Sequence, residues 1–320
     1  MNRKLHLPLA QSAVDRDYLS RNRPNLFDEL WANPLTRILV LADGKVLLEG
    51  DASHPQAALR LLTTEDVPSA QLRAYLGKST EASETEPVGT PVVLAVLGAN
   101  AAQLVESDPA AWHQLRRTGS GLSARDSGLY AQALALANWH QNHQHCPNCG
   151  TPTVVEQGGW VRRCLKDDRE LYPRTDPAII CSVVDQQDRI LLGSQGVWEE
   201  NRWSVLAGFV EPGESLAAAV IREIYEEAGV RAINPEFLGS QSWPFPYSLM
   251  VGFTATVDPD HAESDTVPDG IEIEKLRWFS REELATEAKD ILLPSRISIA
   301  RVLIEEWFGK ELISATELNG

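Results

Sequence analysis

One stretch constrains this chain more than any other: Gly208-Phe209-Val210-Glu211-Pro212-Gly213-Glu214, running through Ser215–Ile221 into Arg222-Glu223-Ile224-Tyr225-Glu226-Glu227-Ala228-Gly229-Val230. The spacing predicts a helix from about Ser215 to Ala228. Glu223 and Glu227 then lie one turn apart on one face with Glu226 beside them. Leu216, Val220 and Ile224 form a separate apolar stripe able to seat the helix on a sheet. Gly208 and Gly213 let the preceding loop turn tightly and bring backbone close to a ligand. Gly229 is placed to end the helix.

Clustered like charge gives this helix its chemical meaning. Glutamates three and four residues apart repel and weaken a helix unless something neutralises them. Arg222 can pair with only part of that charge. A hard cation such as Mg²⁺ or Mn²⁺ answers the rest, because it prefers carboxylate oxygen and keeps positions free for phosphates. Two glutamates at helical spacing would equally describe a solvated acidic face; the complete ordered pattern does not. Glycine, five residues, glutamate, seven residues, then Arg-Glu-apolar-x-Glu-Glu-x-Gly-apolar resembles the Nudix box at every fixed position from Gly208 to Val230. The resemblance implies an α/β/α sandwich and hydrolysis of a nucleoside diphosphate linked to another group.

The rest of the chain fits an α/β enzyme with a second, N-terminal part. Its 320 residues suffice for two domains, and 43% hydrophobic with 23% charged residues are ordinary globular values. No long apolar stretch follows Arg3 and Lys4, and none elsewhere is long enough to span a bilayer, so a cytoplasmic protein is expected. A net charge of −16 argues against a broad phosphate-tracking surface, without excluding recognition of one nucleic-acid end. We expect an N-terminal mixed α+β domain over residues 1–126, a helix with a metal knuckle over 127–170, and the hydrolase domain over 171–320. In the first, Arg37–Ala42 and Lys45–Glu49 flank Asp43-Gly44 as a hairpin, Ser79–Glu86 reads as a solvated loop, and Pro91–Gly98 is a further apolar run. Nothing there carries a chemical constellation, so a scaffold or dimerisation role is expected. A helix follows at Ser127–His140, with Tyr130, Leu134 and Ala137 at helical spacing. Strands are expected at Ala178–Val184, Arg189–Gly193, Trp203–Phe209, Glu236–Ser240, Leu249–Val257 and Lys275–Phe279. Helices at Arg281–Ala288 and Ser295–Phe308 close the order.

After the box comes Ser240-Gln241-Ser242-Trp243-Pro244-Phe245-Pro246-Tyr247-Ser248. Two prolines around aromatics make a stiff segment suited to stacking on a flat base, although composition alone describes an ordinary aromatic turn equally well. The segment is similar to the SQPWPFPxS array of NudC-type NADH pyrophosphatases, with Ser242 where that array usually has proline. That resemblance implies cleavage of NADH or NAD⁺ to NMN(H) and AMP. It also implies a homodimer in which Tyr172, of Tyr172-Pro173-Arg174, reaches a neighbouring site. Glu223, Glu226 and Glu227, with the Ala207 carbonyl and Glu272, would hold the divalent metals. Glu226 and Glu227 are the candidates for taking the proton of the attacking water, a role for which the family has no uniform residue. Phe209, Tyr172, Gln241, Ser242, Trp243, Pro244, Phe245, Pro246, Tyr247, Ser248 and Ala300 would contact substrate. Removal of an NAD cap from RNA 5′ ends is the alternative by the same chemistry, and a non-catalytic dinucleotide sensor is the alternative of another class.

Cys146-Pro147-Asn148-Cys149-Gly150, followed fourteen residues later by Cys164, reads as three quarters of a zinc ribbon. Asp167, His143 or His145 could complete a Zn²⁺ site, and a ribbon that keeps its shape without zinc is the other reading. A redox pair fits less well, since the motif does not sit at a strand-to-helix junction. Cys181, inside an apolar strand, is expected to be a buried structural cysteine.

Overall fold

A computed structural model describes residues 5–10, 13–50, 57–83 and 85–318. They fall into two compact units. One runs from Leu9 to Thr175 and includes Trp243–Tyr247; the other takes the residues up to Pro8, Asp176–Ser242 and the chain from Ser248 onward.

In the N-terminal unit, a four-stranded sheet has the order Val14–Asp15, Leu72–Ser79, Pro91–Val96, Arg37–Leu41, the last pair parallel. Asp43 and Gly44 both take positive φ, as the predicted tight turn requires. The expected hairpin does not continue beyond an Ala42–Lys45 bridge, however. Arg37–Leu41 pairs with Pro91–Val96, while Lys45–Glu49 joins a separate sheet between Ala58–Leu59 and Trp112–Gln114. The loop after Ser79 is also not simply solvated. Glu86 is buried, its carboxylate 2.5 Å from Arg125 Nη1 and 3.7 Å from Arg37 Nε, so an ion pair anchors the loop.

Helix α1 (Ala124–Asn142) begins ahead of its predicted start because the Ser123 hydroxyl accepts from the Asp126 amide. Leu129, Tyr130, Ala133, Leu136 and Trp139 are all buried, more than a single stripe would cover. Beyond it, Thr153–Glu156, Val161–Cys164 and Glu170–Leu171 form a three-stranded antiparallel ribbon. The knuckle and helix α1 thus belong to the same compact unit as the N-terminal strands.

The C-terminal unit is an α/β/α sandwich. Its strands are β1 (Asp176–Val184), β2 (Ile190–Ser194), β3 (Leu206–Phe209), β4 (Ala232–Trp243), β5 (Ser248–Val257) and β6 (Lys275–Phe279). The order is β4-β5-β1-β2-β6, with β3 also pairing antiparallel to β1. Side chains alternate across β1, as strand geometry dictates. Ile179, Cys181 and Val183 face the core under helix α2 (Leu216–Ala228), and Ile180 faces the core under helix α3 (Ile299–Phe308). Cys181 is completely buried there, and desolvation raises its thiol pKa. The seat of α2 is Ala219, Val220, Ile224 and Ala228, whereas Leu216, the first member of the predicted stripe, is 38% exposed at the first turn and does not join that core. Strand β3 is shorter than predicted because Ser204 already bridges Gly193 and Trp203 donates to the Leu292 carbonyl. Helix α3 starts at Ile299, after the predicted Ser295, because Ser298 supplies the cap.

Candidate active site

The box folds as a strand, a loop and a helix. Strand β3 carries Ala207, Gly208 and Phe209, and Ser215 caps α2 through the Ala218 amide. Gly208 sits where a Cβ would lie 2.0 Å from the Glu223 carboxyl carbon, so only glycine lets that carboxylate reach the strand. Gly229 ends α2 with φ 68°, and a Cβ there would also lie 2.6 Å from the Asp265 carbonyl oxygen.

Arg222 neutralises most of the glutamates it can reach. Its guanidinium lies 2.6 Å from Glu214, 2.8 Å from Glu223 and 2.9 Å from Glu226, and donates to the Phe209 carbonyl at 3.0 Å. The Arg222 pairing holds Glu214 below its ordinary carboxyl range. Burial raises Glu223, with Arg222 opposing and Glu226 and Glu272 adding repulsion.

Glu227 is the group left over. It is 4% exposed, and its Oε2 has no hydrogen-bond partner. Burial pushes its pKa up to about 8, reinforced by Glu223, Glu272 and Asp269, with the Ala207 backbone amide acting the other way. A buried, unpaired carboxylate oxygen facing three more acids is what a divalent cation satisfies. These oxygen donors fit such an ion.

Glu272 joins the cluster through a loop that the sequence alone did not mark. Asp269 accepts hydrogen bonds from the amides of Ile271, Glu272 and Ile273, the last at 2.8 Å, and this turn sets the exposed Glu272 near enough for its charge to raise Glu223 and Glu227. The Asp269-Gly270 pair was the available signal, since it marks a tight turn.

The expected substrate residues divide between the units. Phe209 is 60% exposed on β3 and free to stack. Gln241 is completely buried; its amide donates to the Ile297 carbonyl and accepts from the Ile299 amide, both at 2.8 Å. Both ends of its side-chain amide are thus taken up in securing the start of α3. Ala300 is buried at the same place. Ser242 and Ser248 bracket a β-hairpin tip, Trp243–Tyr247, which packs in the N-terminal unit with Pro244 buried. Tyr172 is in that unit too, 60% exposed, its hydroxyl donating to Glu170.

The knuckle brings together all four of its expected ligands. One ligand atom from each of Cys146, Cys149, Cys164 and Asp167 lies within 4.8 Å of the others, a spacing that fits a tetrahedral thiolate-rich zinc ion. Cys146 Sγ lies 3.4 Å from Asp167 Oδ2, and the Cys149 and Cys164 sulfurs are 3.5 Å apart. Hydrogen bonds from Cys164 and Asn148 hold Asp167 well below the usual carboxylate range. His143 instead bonds the Trp139 carbonyl at 3.0 Å, and His145 lies outside the cluster.

Comparison with known proteins agrees with this architecture. Family models match in chain order: an NADH pyrophosphatase-like rudimentary NUDIX domain at residues 35–139, an NADH pyrophosphatase zinc ribbon domain at 141–172, and a NUDIX domain at 174–300. The NAD-capped RNA hydrolase NudC of Mycobacterium tuberculosis is 40% identical over 277 residues, 80% of this chain and 87% of that protein. The NAD-capped RNA hydrolase NUDT12 of Homo sapiens is 36% identical over 200 residues, 58% of this chain and 42% of that protein. A crystal structure of a Nudix hydrolase from Nitrosomonas europaea aligns with a TM-score of 0.41 and 24% identity, covering 53% of this chain and 96% of that one. With its rudimentary domain, ribbon and complete carboxylate box in this order, the chain belongs to the NudC-type NADH pyrophosphatase family of Nudix hydrolases.

Proposed function

We propose that this chain hydrolyses the diphosphate bridge of NADH or NAD⁺, giving NMN(H) and AMP, with Mg²⁺ or Mn²⁺ held by Glu223, Glu227 and Glu272. The observation that carries the reading is the buried, unpartnered Oε2 of Glu227 among Glu223, Glu272 and Asp269. When bound, the ion neutralises the diphosphate and polarises its phosphorus–oxygen bonds. The chain's own residues do the rest. Arg222 keeps Glu214, Glu223 and Glu226 from repelling one another, and Gly208 leaves room for Glu223. Glu226, 59% exposed at its side chain, is the carboxylate open to an incoming water and is the better-placed base. Phe209 offers its ring to a base or nicotinamide.

Cys146, Cys149, Cys164 and Asp167 would hold a structural zinc ion, tying the ribbon strands to the end of α1. Product masses after incubation with NADH, NAD⁺ and ADP-ribose plus Mg²⁺ or Mn²⁺ test the reading. NMN(H) and AMP from the dinucleotides support it, and intact dinucleotide under every metal condition overturns it.

The names of the M. tuberculosis and human relatives favour a second substrate, RNA carrying a 5′ NAD cap. The same cleavage would serve, with RNA trailing from the adenosine side. A net charge of −16 leads us to expect few contacts beyond the cap and therefore a shallow dependence of turnover on salt.

A further inference from the structure

The N-terminal unit was expected to be a scaffold, yet one of its side chains holds the aromatic array that sets this family apart. Trp243–Tyr247 forms the tip between β4 and β5, and its two prolines cannot donate hydrogen bonds. The carbonyls of Pro244 and Pro246 are nevertheless satisfied. Asn138 Nδ2, on helix α1, donates to both, each at 3.0 Å. A primary amide has two hydrogens, so one side chain fixes the carbonyls on either side of Phe245. Arg116 then covers the outer surface of the tip. Its guanidinium carbon lies 4.1 Å from the Phe245 ring centroid and 5.1 Å from that of Trp243, and the two rings meet edge-on at 5.0 Å. His143 meets Tyr247 edge-on at 5.9 Å, completing the seat from the end of α1.

We propose that Asn138 is a positioning residue for substrate discrimination: through the Pro244 and Pro246 carbonyls it fixes the shape in which the Trp243–Tyr247 tip meets the dinucleotide, with Arg116 holding the ring pair. This rests on the array being a substrate surface, as proposed above. The role is one of positioning without a part in the chemistry, because none of these residues belongs to the carboxylate cluster.

Asn138→Asp is nearly isosteric but donates no hydrogen bond to either carbonyl, and Arg116→Ala removes the cover from an exposed position. Two readouts on the full-length protein separate the possibilities. Hydrogen exchange should show faster amide exchange in the segment 243–250 of Asn138→Asp, with the segment 216–228 unchanged. Kinetics should show KM for NADH raised about tenfold with kcat held within about twofold, and a smaller shift for ADP-ribose, which lacks the nicotinamide. Arg116→Ala should move both readouts in the same direction and less far. Unchanged exchange at the tip overturns the anchoring. Equal losses on both substrates, or a fall in kcat alone, overturn the role in discrimination. If Asn138→Asp does not fold, Arg116→Ala decides alone, and unchanged exchange and KM in it sink the proposal. Failure of the wild-type protein to cleave NADH would instead strike the functional reading, and the exchange measurement would still report on the anchor.

Discussion

The carboxylate groove on α2 and the cysteine knuckle after α1 are both gatherings of metal-binding side chains, but they are assembled by opposite means. In the knuckle the ligands bond to one another: Cys146 approaches Asp167, Cys149 approaches Cys164, and Asn148 steadies the carboxylate. In the groove the ligands repel, and the fold forces them together with Arg222, a glycine that clears space for Glu223, and the Asp269 turn. One set is linked by its own hydrogen bonds, and the other leaves one Glu227 oxygen buried without a hydrogen-bond partner. A site that needs strain to assemble keeps its ligands poised for an exchangeable ion and a substrate. A site that assembles itself serves structure.

The hardest test of that contrast is Glu227→Gln. It removes the carboxylate but preserves shape, so turnover should fall by about a thousandfold or more while the circular dichroism spectrum holds and the variant melts no lower than metal-free wild type. Residual turnover near wild type in metal-replete buffer would place the chemistry elsewhere. Gly208→Ala follows. Its new Cβ would meet the Glu223 carboxyl carbon at 2.0 Å, and strand β3 cannot yield without breaking its pairing to β1. We expect about a hundredfold loss in kcat/KM, measured on NADH, and weaker activation by Mg²⁺.

The groove could be read from sequence because its ligands lie within one short helix, where a period of 3.6 residues puts Glu223 and Glu227 on one face. Its completing parts could not. Asp269 acts on a loop far along the chain, and nothing local showed Gln241 bonding Ile297 and Ile299. The Asp43-Gly44 turn was legible, but the partners its two strands would choose were not, since pairing is decided by distant strands. Asn138 shows the same limit, because its partners lie 106 and 108 residues away. Local chemistry writes itself into spacing, and long-range hydrogen bonds do not.

The knuckle half of the comparison is sharpened by metal content and stability. Purified protein should carry one zinc per chain by mass spectrometry of metals, and Asp167→Ala should bind it more weakly. Cys164→Ser should cost about 2 kcal/mol of stability, because it removes a buried ligand and loosens the ribbon against α1. No zinc in the wild type, with Cys164→Ser melting unchanged, would make the knuckle a ribbon that stands on hydrogen bonds alone.

The smallest effect is the most diagnostic of the groove, and it concerns protons. Glu227 has a folded pKa of about 8 in the metal-free protein, above the ordinary value of 4.5. Below about pH 4.5 both folded and unfolded states hold the proton and no penalty arises. Between there and pH 8 the unfolded chain gives it up while the folded one keeps it, so stability falls as pH rises and levels off above 8. Other groups titrate in this window. Burial holds His140 down to about 4, which makes the protein gain stability from pH 4 to 6.5. The comparison must therefore be wild type against Glu227→Gln. Between pH 6.5 and 8, metal-free wild type should lose stability relative to the variant by on the order of 1 kcal/mol per pH unit at most. Saturating Mg²⁺ should erase that difference, since the ion replaces the proton and the groove then behaves as the knuckle does, with its ligands matched. Parallel slopes for the two proteins without metal would mean that Glu227 is already ionised and paired, and the strained half of the comparison would fail.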